Sequence, residues 1–232
     1  MENTERKFTL KTVLTILFWG GLWGIVEATL GTLLHLPGFE EAGLFFASSA
    51  IILPIAYCLM ANCYKRTESF YAVYLMGVLA GLIKLTVAFV IGFTIYVYFP
   101  AMYIVLEALA MGTALAVFRP KNVLSLKTFA AVVVANTVYQ FVYLCVRSLT
   151  SASVFASMEA FNKTGVKYLF TLNGLAIVYI LVVGSISYGI VKLAEHFNWN
   201  IKFDLNKVIA HPVTVGVILA LSLGLTIGLA AI

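Results

Sequence analysis

Charge is what this sequence has least of. Only 11% of its residues are Asp, Glu, Lys or Arg, where a soluble domain carries about 25%. Too few charges remain to hydrate the surface of a chain of 232 residues, 62% of which are hydrophobic. Most of that surface must therefore face lipid. Catalytic signatures are also missing: there is no P-loop, no Ser/His/Asp pattern and no HExxH. The chain is not expected to be an enzyme, and ATP hydrolysis by the chain alone is excluded. Cysteine is sparse as well. Cys58, Cys63 and Cys145 lie in or at the ends of apolar runs and form no CxxC pair, which excludes a disulfide framework and leaves packed thiols.

In hydrocarbon each unpaired backbone N–H or C=O costs several kcal/mol, so spans must be helices or a closed barrel. A barrel would show strands of roughly ten residues with alternating polarity. The sequence shows instead continuous apolar runs of about 20 residues, long enough to cross a core about 30 Å thick. The expected fold is an all-α polytopic bundle in a single transmembrane domain over 1–232, with six core transmembrane helices plus a seventh. The expected spans are 12–36, 43–62, 69–97, 100–118, 125–148, 166–194 and 209–232. The last could also lie at an angle along the bundle. Glu27 and the spans that follow argue against a cleaved signal peptide.

The basic residues give a direction. Eleven of the 15 fall in alternate connections: Arg6, Lys7, Lys11, Lys65, Arg66, Arg119, Lys121, Lys127, Lys192, Lys202 and Lys207. The opposite connections hold Arg147, Lys163 and Lys167, and Lys84 falls within a span. By the positive-inside rule the N-terminus is cytoplasmic. The net charge of +5 is thus a loop property and not a nucleic-acid signature. The expected location is the cell (inner) membrane, multi-pass, with the lipid bilayer as surroundings.

Ionisable residues inside a span cost about 2.5–3.5 kcal/mol each and mark function by default. Three are deep: Glu27, Lys84 and Glu107. Asn136, Gln140 and Asn173 add uncharged polarity, while His35 and Arg147 stand at the outer ends of spans one and five. With the direction above, these residues gather at the midplane or in the outer half. The inner halves are mostly Val, Leu, Ile and Ala. The asymmetry suggests a pocket opening outward, with Glu27, Lys84, Glu107, Asn136, Gln140 and Asn173 binding a small solute and His35 and Arg147 at its mouth. A structural alternative is a salt bridge from Lys84 to Glu27 or to Glu107, with the amides as interhelical glue. No HxxxH or ExxH pair supports a metal site, and no cofactor is expected.

Span one carries the sharpest local pattern. At 100° per residue Gly20, Gly24, Glu27, Gly31 and His35 fall within about 80° of one another. Together with Ala28, the glycines form a small-residue face suited to close helix packing or to a partner. Pro54 reads as a kink, Pro100 as a helix start, and His196–Lys207 as a surface segment.

A small, basic, very hydrophobic chain with these spans, this direction and an outward polar pocket resembles the substrate-binding S components of energy-coupling factor (ECF) transporters. The face Gly20, Gly24 and Ala28 is similar to the small-residue face by which those proteins dock onto a transmembrane coupling subunit. The segment from Phe99 to Gly112, with Pro100 and Glu107, resembles their helix-starting proline followed by polar and small residues. The resemblance covers roughly residues 8–195. The seventh segment is extra, and Glu27 interrupts the docking face. The resemblance implies capture of a small nutrient from outside and coupling to ATPases through the partner subunit. Two other classes fit the residues: a self-sufficient proton- or cation-coupled permease, though no inverted repeat is visible, and an intramembrane enzyme or assembly factor.

Overall fold

Every element described in the computed structural model is an α-helix. The structure describes residues 9–33, 45–154 and 204–231, with nine further helical positions between Gly174 and His196. The helices are α1 (Leu10–Leu33), α2 (Phe45–Thr67), α3 (Phe70–Leu85), α4 (Ala88–Ile91), α5 (Ile95–Phe118), α6 (Leu126–Val154), α7 (Leu205–Ala210) and α8 (Pro212–Ala230). Four stretches are long and apolar enough to cross a membrane: Leu10–Gly31, Phe70–Ile91, Val97–Phe118 and Pro212–Ala230. The more polar α2 and α6 are not among them, although they have 23 and 29 residues. Apart from its nine helical positions, the span expected over 166–194 lies outside the described residues.

Local chemistry explains most of the boundaries. The run of α2 continues past the expected 62 to Thr67, because Lys65 and Arg66 suit a helix C-terminus. Glu68 then takes φ 48° and donates its N–H to the Tyr64 carbonyl at 2.6 Å, while the Ser69 hydroxyl accepts from Ala72 N at the start of α3. Arg119 ends α5 in the same left-handed conformation, φ 46°, with its N–H on Leu115 O. Pro120 follows, and proline cannot continue a helix. Left-handed backbone costs a residue with a Cβ about 1–2 kcal/mol. Ser125 accepts from Thr128 N at the start of α6, Asp204 caps α7 through Asn206 N, and Pro212 sits in the first turn of α8.

Two expected boundaries are corrected. The span expected over 69–97 is matched by Phe70–Ile91 but ends earlier and is interrupted: α3 ends at Leu85, Thr86 N and Val87 N turn back to Ile83 O and Lys84 O, and Gly92 at φ 81° separates α4 from α5. Pro100 is not a helix start. The first turn of α5 closes earlier, through Val97 N and Tyr98 N on Thr94 O, and Pro100 lies inside the helix.

The helices pack in the order α8, α1, α3, α5, α6, with α2 against α1, α3 and α5. Small residues set the spacing. A Cβ on Gly77 of α3 would collide with the Ala108 Cβ of α5, and one on Gly81 would come within 2.9 Å of Ala101 O. The described surface carries many large apolar side chains, and a largely apolar core holds a few polar ones. Leu82, Phe141, Val217 and Leu221 are exposed, whereas Glu107, Asn136, Gln140, Ser222 and Thr226 are buried. Such an apolar exterior would be an aggregation liability in water, and in lipid it is the solvated surface.

The Gly77 contact makes a specific demand. Gly77→Ala should lower stability by about 1–3 kcal/mol through overpacking, and adding Ala108→Gly should restore part of the loss. Thermal unfolding of the four members of this cycle in detergent checks it; additive losses would show that the two positions do not share the space.

Candidate functional site

At 1.5 Å per residue, Tyr57 lies about 15 Å from the end of α2, Asn136 about 15 Å from the start of α6, and Glu107 about 17 Å from the end of α5. The ends of α2 and α5 lie together at the end of the bundle that carries Lys65, Arg119 and Lys121, and a short connection leads from there to the start of α6. The three side chains therefore share one layer of the bundle, about 15–17 Å from that end. Within it the Tyr57 hydroxyl donates to Asn136 Oδ1 at 3.3 Å, joining α2 to α6 through the core. Both side chains are fully buried or nearly so.

Glu107 is the polar centre of this layer. It is 4% exposed, and among the described residues its Oε1 has no hydrogen-bond donor. Glu27, Tyr57 and Tyr139 lie within electrostatic range of it. Gln140, one turn beyond Asn136 on α6, is also buried. Above the layer, Phe99 stacks on Tyr103 at 5.9 Å, Tyr103 meets Tyr143 at 4.5 Å, and Tyr143 meets Tyr139 at 6.3 Å. These rings line α5 and α6 from the far end of the bundle down to the acid.

The other two deep charges are organised by α1 and α3. Trp23 donates its indole N–H to Glu27 Oε1 at 3.2 Å, one turn along the same helix. The second carboxylate oxygen of Glu27 and the Lys84 Nζ both lie within 4 Å of the place a Cβ on Gly31 would occupy, at 3.7 and 3.8 Å. Lys84 therefore shares its surroundings with Glu27. Trp23 also reaches the Gly77–Ala108 contact, next in sequence to Glu107.

Of the six expected binding residues, five fall in this assembly: Glu27, Lys84, Glu107, Asn136 and Gln140. Asn173 and His35 lie outside the described residues, as does the side chain of Arg147. Sequence reasoning missed Tyr57. The available signal was a tyrosine in mid-span three residues after Pro54, in a helix otherwise read only for its kink. Among the described residues no three His, Cys, Asp or Glu side chains gather as a metal site would require. None of the five lines an apolar hollow of about 410 Å³, which Pro54, Tyr57, Thr128, Phe129 and Val132 help to enclose. Tyr57 lines this hollow and also belongs to the polar layer.

The expected small-residue face of α1 is used inside the chain. A Cβ on Gly20 would meet Leu79 of α3 at 2.8 Å, and one on Gly24 would overlap the Ser222 hydroxyl of α8 and touch Ile83 of α3. Ala28 is buried. Only Gly31 has room beside it, with the Glu27–Lys84 groups as neighbours.

No family model, no curated protein and no solved structure matches the chain.

The same stripe thus holds glycines of two kinds. Gly24→Ala should destabilise by about 1–3 kcal/mol by overpacking. Gly31→Ala should be neutral, or stabilising by up to about 1 kcal/mol, because alanine is the better helix former and finds ordinary contact distances. Thermal unfolding of the two variants side by side decides; equal losses would mean that the stripe packs uniformly.

Proposed function

We propose that this chain is a multi-pass protein of the cell membrane with a cytoplasmic N-terminus, and that it binds a small solute at the layer of Glu107, Asn136, Gln140 and Tyr57. One observation carries the reading: a carboxylate oxygen buried in mid-bundle with no donor among the described residues. Leaving such a group unsatisfied costs on the order of 1–3 kcal/mol, more when it is charged. A residue kept at that cost in lipid points to function. The chemistry favours a solute that presents an N–H or O–H to Glu107. The phenol ring array, the Asn136–Tyr57 pair and Gln140 supply further polar and stacking contacts.

Within that reading, the substrate-binding subunit of an ECF-type uptake system fits best, because the chain has no ATPase motif and no visible inverted repeat. Its coupling partner would dock on a surface other than Gly20 and Gly24, which α3 and α8 occupy. A second reading, a proton- or cation-coupled permease, draws support from the placement of Glu27 within electrostatic range of Glu107. Two neighbouring acids can exchange a proton for a solute.

Glu107→Leu separates function from folding. If the acid is kept for a ligand, an apolar replacement of similar size should leave thermal stability unchanged or higher. The same change should abolish the small molecule that native mass spectrometry finds with the gently purified wild-type chain. A large loss of stability with the ligand retained would make Glu107 structural. Solute uptake by the chain alone in liposomes, driven by an imposed pH gradient, would favour the permease over the subunit.

A further inference from the structure

The three deep charges, Glu27, Lys84 and Glu107, do not cancel. Lys84 goes with Glu27: its ammonium and a Glu27 carboxylate oxygen lie 3.8 and 3.7 Å from one point beside Gly31. Trp23 donates to the other oxygen of Glu27. Glu27 thus has a cation nearby and a donor. Glu107 is differently placed. Among the described residues its Oε1 is buried without a donor, and the charge within its electrostatic range is the second acid. One negative charge is left over inside the bundle, where an ion without a partner is costly.

Tyrosines gather around this acid. Tyr139 lies within electrostatic range of Glu107, Glu27, Tyr103 and Tyr143 at once, and Tyr57 within range of Glu107 and Tyr139. The rings are not stacked flat on one another: Tyr103 is tilted by 53° to Tyr143, and Tyr139 by 46° to the same ring. The face of an aromatic ring carries negative potential and attracts a cation. Acid and rings therefore bring potential of one sign into one layer. A metal ion does not match them. Hard cations take six or more oxygen ligands, and among the described residues no three His, Cys, Asp or Glu side chains gather. An organic ammonium asks for less, because one carboxylate and neighbouring ring faces suffice to hold it.

We propose that the solute is an organic ammonium, a protonated amine that donates an N–H to Glu107 Oε1 beside the ring of Tyr139. The ammonium class rests on the solute-binding reading and narrows it, since the guest supplies the positive charge that the layer lacks. The two acids then have different parts. Glu27, with Trp23 and Lys84 as neighbours, belongs to the framework. Glu107 is the counter-ion of the guest.

Calorimetric titration of the full chain in neutral detergent at pH 7 tests this with phenethylamine, 2-phenylethanol and 3-phenylpropionate. These probes share a phenylethyl body and are cationic, neutral and anionic. The amine should bind on the order of a hundredfold tighter than the alcohol, the usual weight of a desolvated charge pair. The anion should bind most weakly. Glu107→Gln keeps the shape and removes the charge, so it should erase the preference for the amine and leave the alcohol unaffected. Tyr139→Leu should weaken the amine about thirtyfold through the lost ring, whereas Tyr139→Phe should retain it. Equal affinity for amine and alcohol, no binding of the amine, or full binding of the amine by Glu107→Gln would overturn the proposal. The molecule that co-purifies separates the two levels of inference. If Glu107→Leu loses it and Glu107→Gln retains it, the solute reading stands and the ammonium falls. If Glu107→Leu retains it, both fall. Should Glu107→Gln not fold, the order of the three probes on the wild type decides.

Discussion

The approach of α3 to α5 sets the terms for the rest of the bundle. Gly77 and Ala108 leave no room for another methyl group between the two helices. Helices in lipid gain little from the hydrophobic effect and associate by contact, which small residues permit. α1 uses the same device on two sides at once, Gly20 toward α3 and Gly21 and Gly24 toward α8. Large side chains fill what remains, with Trp23, Met60, Met76 and Met111 fully buried. The polar layer depends on this framework. Glu107 adjoins Ala108, and Trp23 touches that contact while holding Glu27.

Much of this was legible in the residues. Low charge and long apolar runs dictate helices, and the depth of Glu27, Glu107, Asn136 and Gln140 follows from counting along the spans. The glycine face of span one was also visible as a packing surface. The identity of its partners was not, because periodicity shows which face is small and not which helix meets it. The pairing of Lys84 was likewise open between two acids. The placement of α1 beside α3 brings the Lys84 ammonium and a Glu27 carboxylate oxygen to the same Gly31, a tertiary fact with no local sequence signal.

The boundaries were less readable, for a different reason. Hydropathy runs unbroken through Thr86–Val87 and on toward Gly92, yet the helix does not. Apolar side chains dissolve in lipid whether or not the backbone beneath them is helical, so composition is blind to such a break. Pro100 misled in the opposite sense. Its ring suits a first turn, but Thr94 supplies the carbonyl that starts the helix earlier. Tyr57 was hidden because a phenol in an apolar span has an ordinary packing role, and only the position of Asn136 on α6 makes it a donor in the core.

The break after α3 has a consequence for the charge that precedes it. Lys84 occupies the last turn of α3, where peptide dipoles add to about half a negative charge. Had α3 continued without interruption, the ammonium would have met only the sides of helices, whose carbonyls are turned inward to their own ladders. A helix that stops there presents its negative pole instead, although Thr86 N and Val87 N turn back on the Ile83 and Lys84 carbonyls. Ending a helix just after a lysine is thus one way for a protein to keep a cation within an apolar bundle.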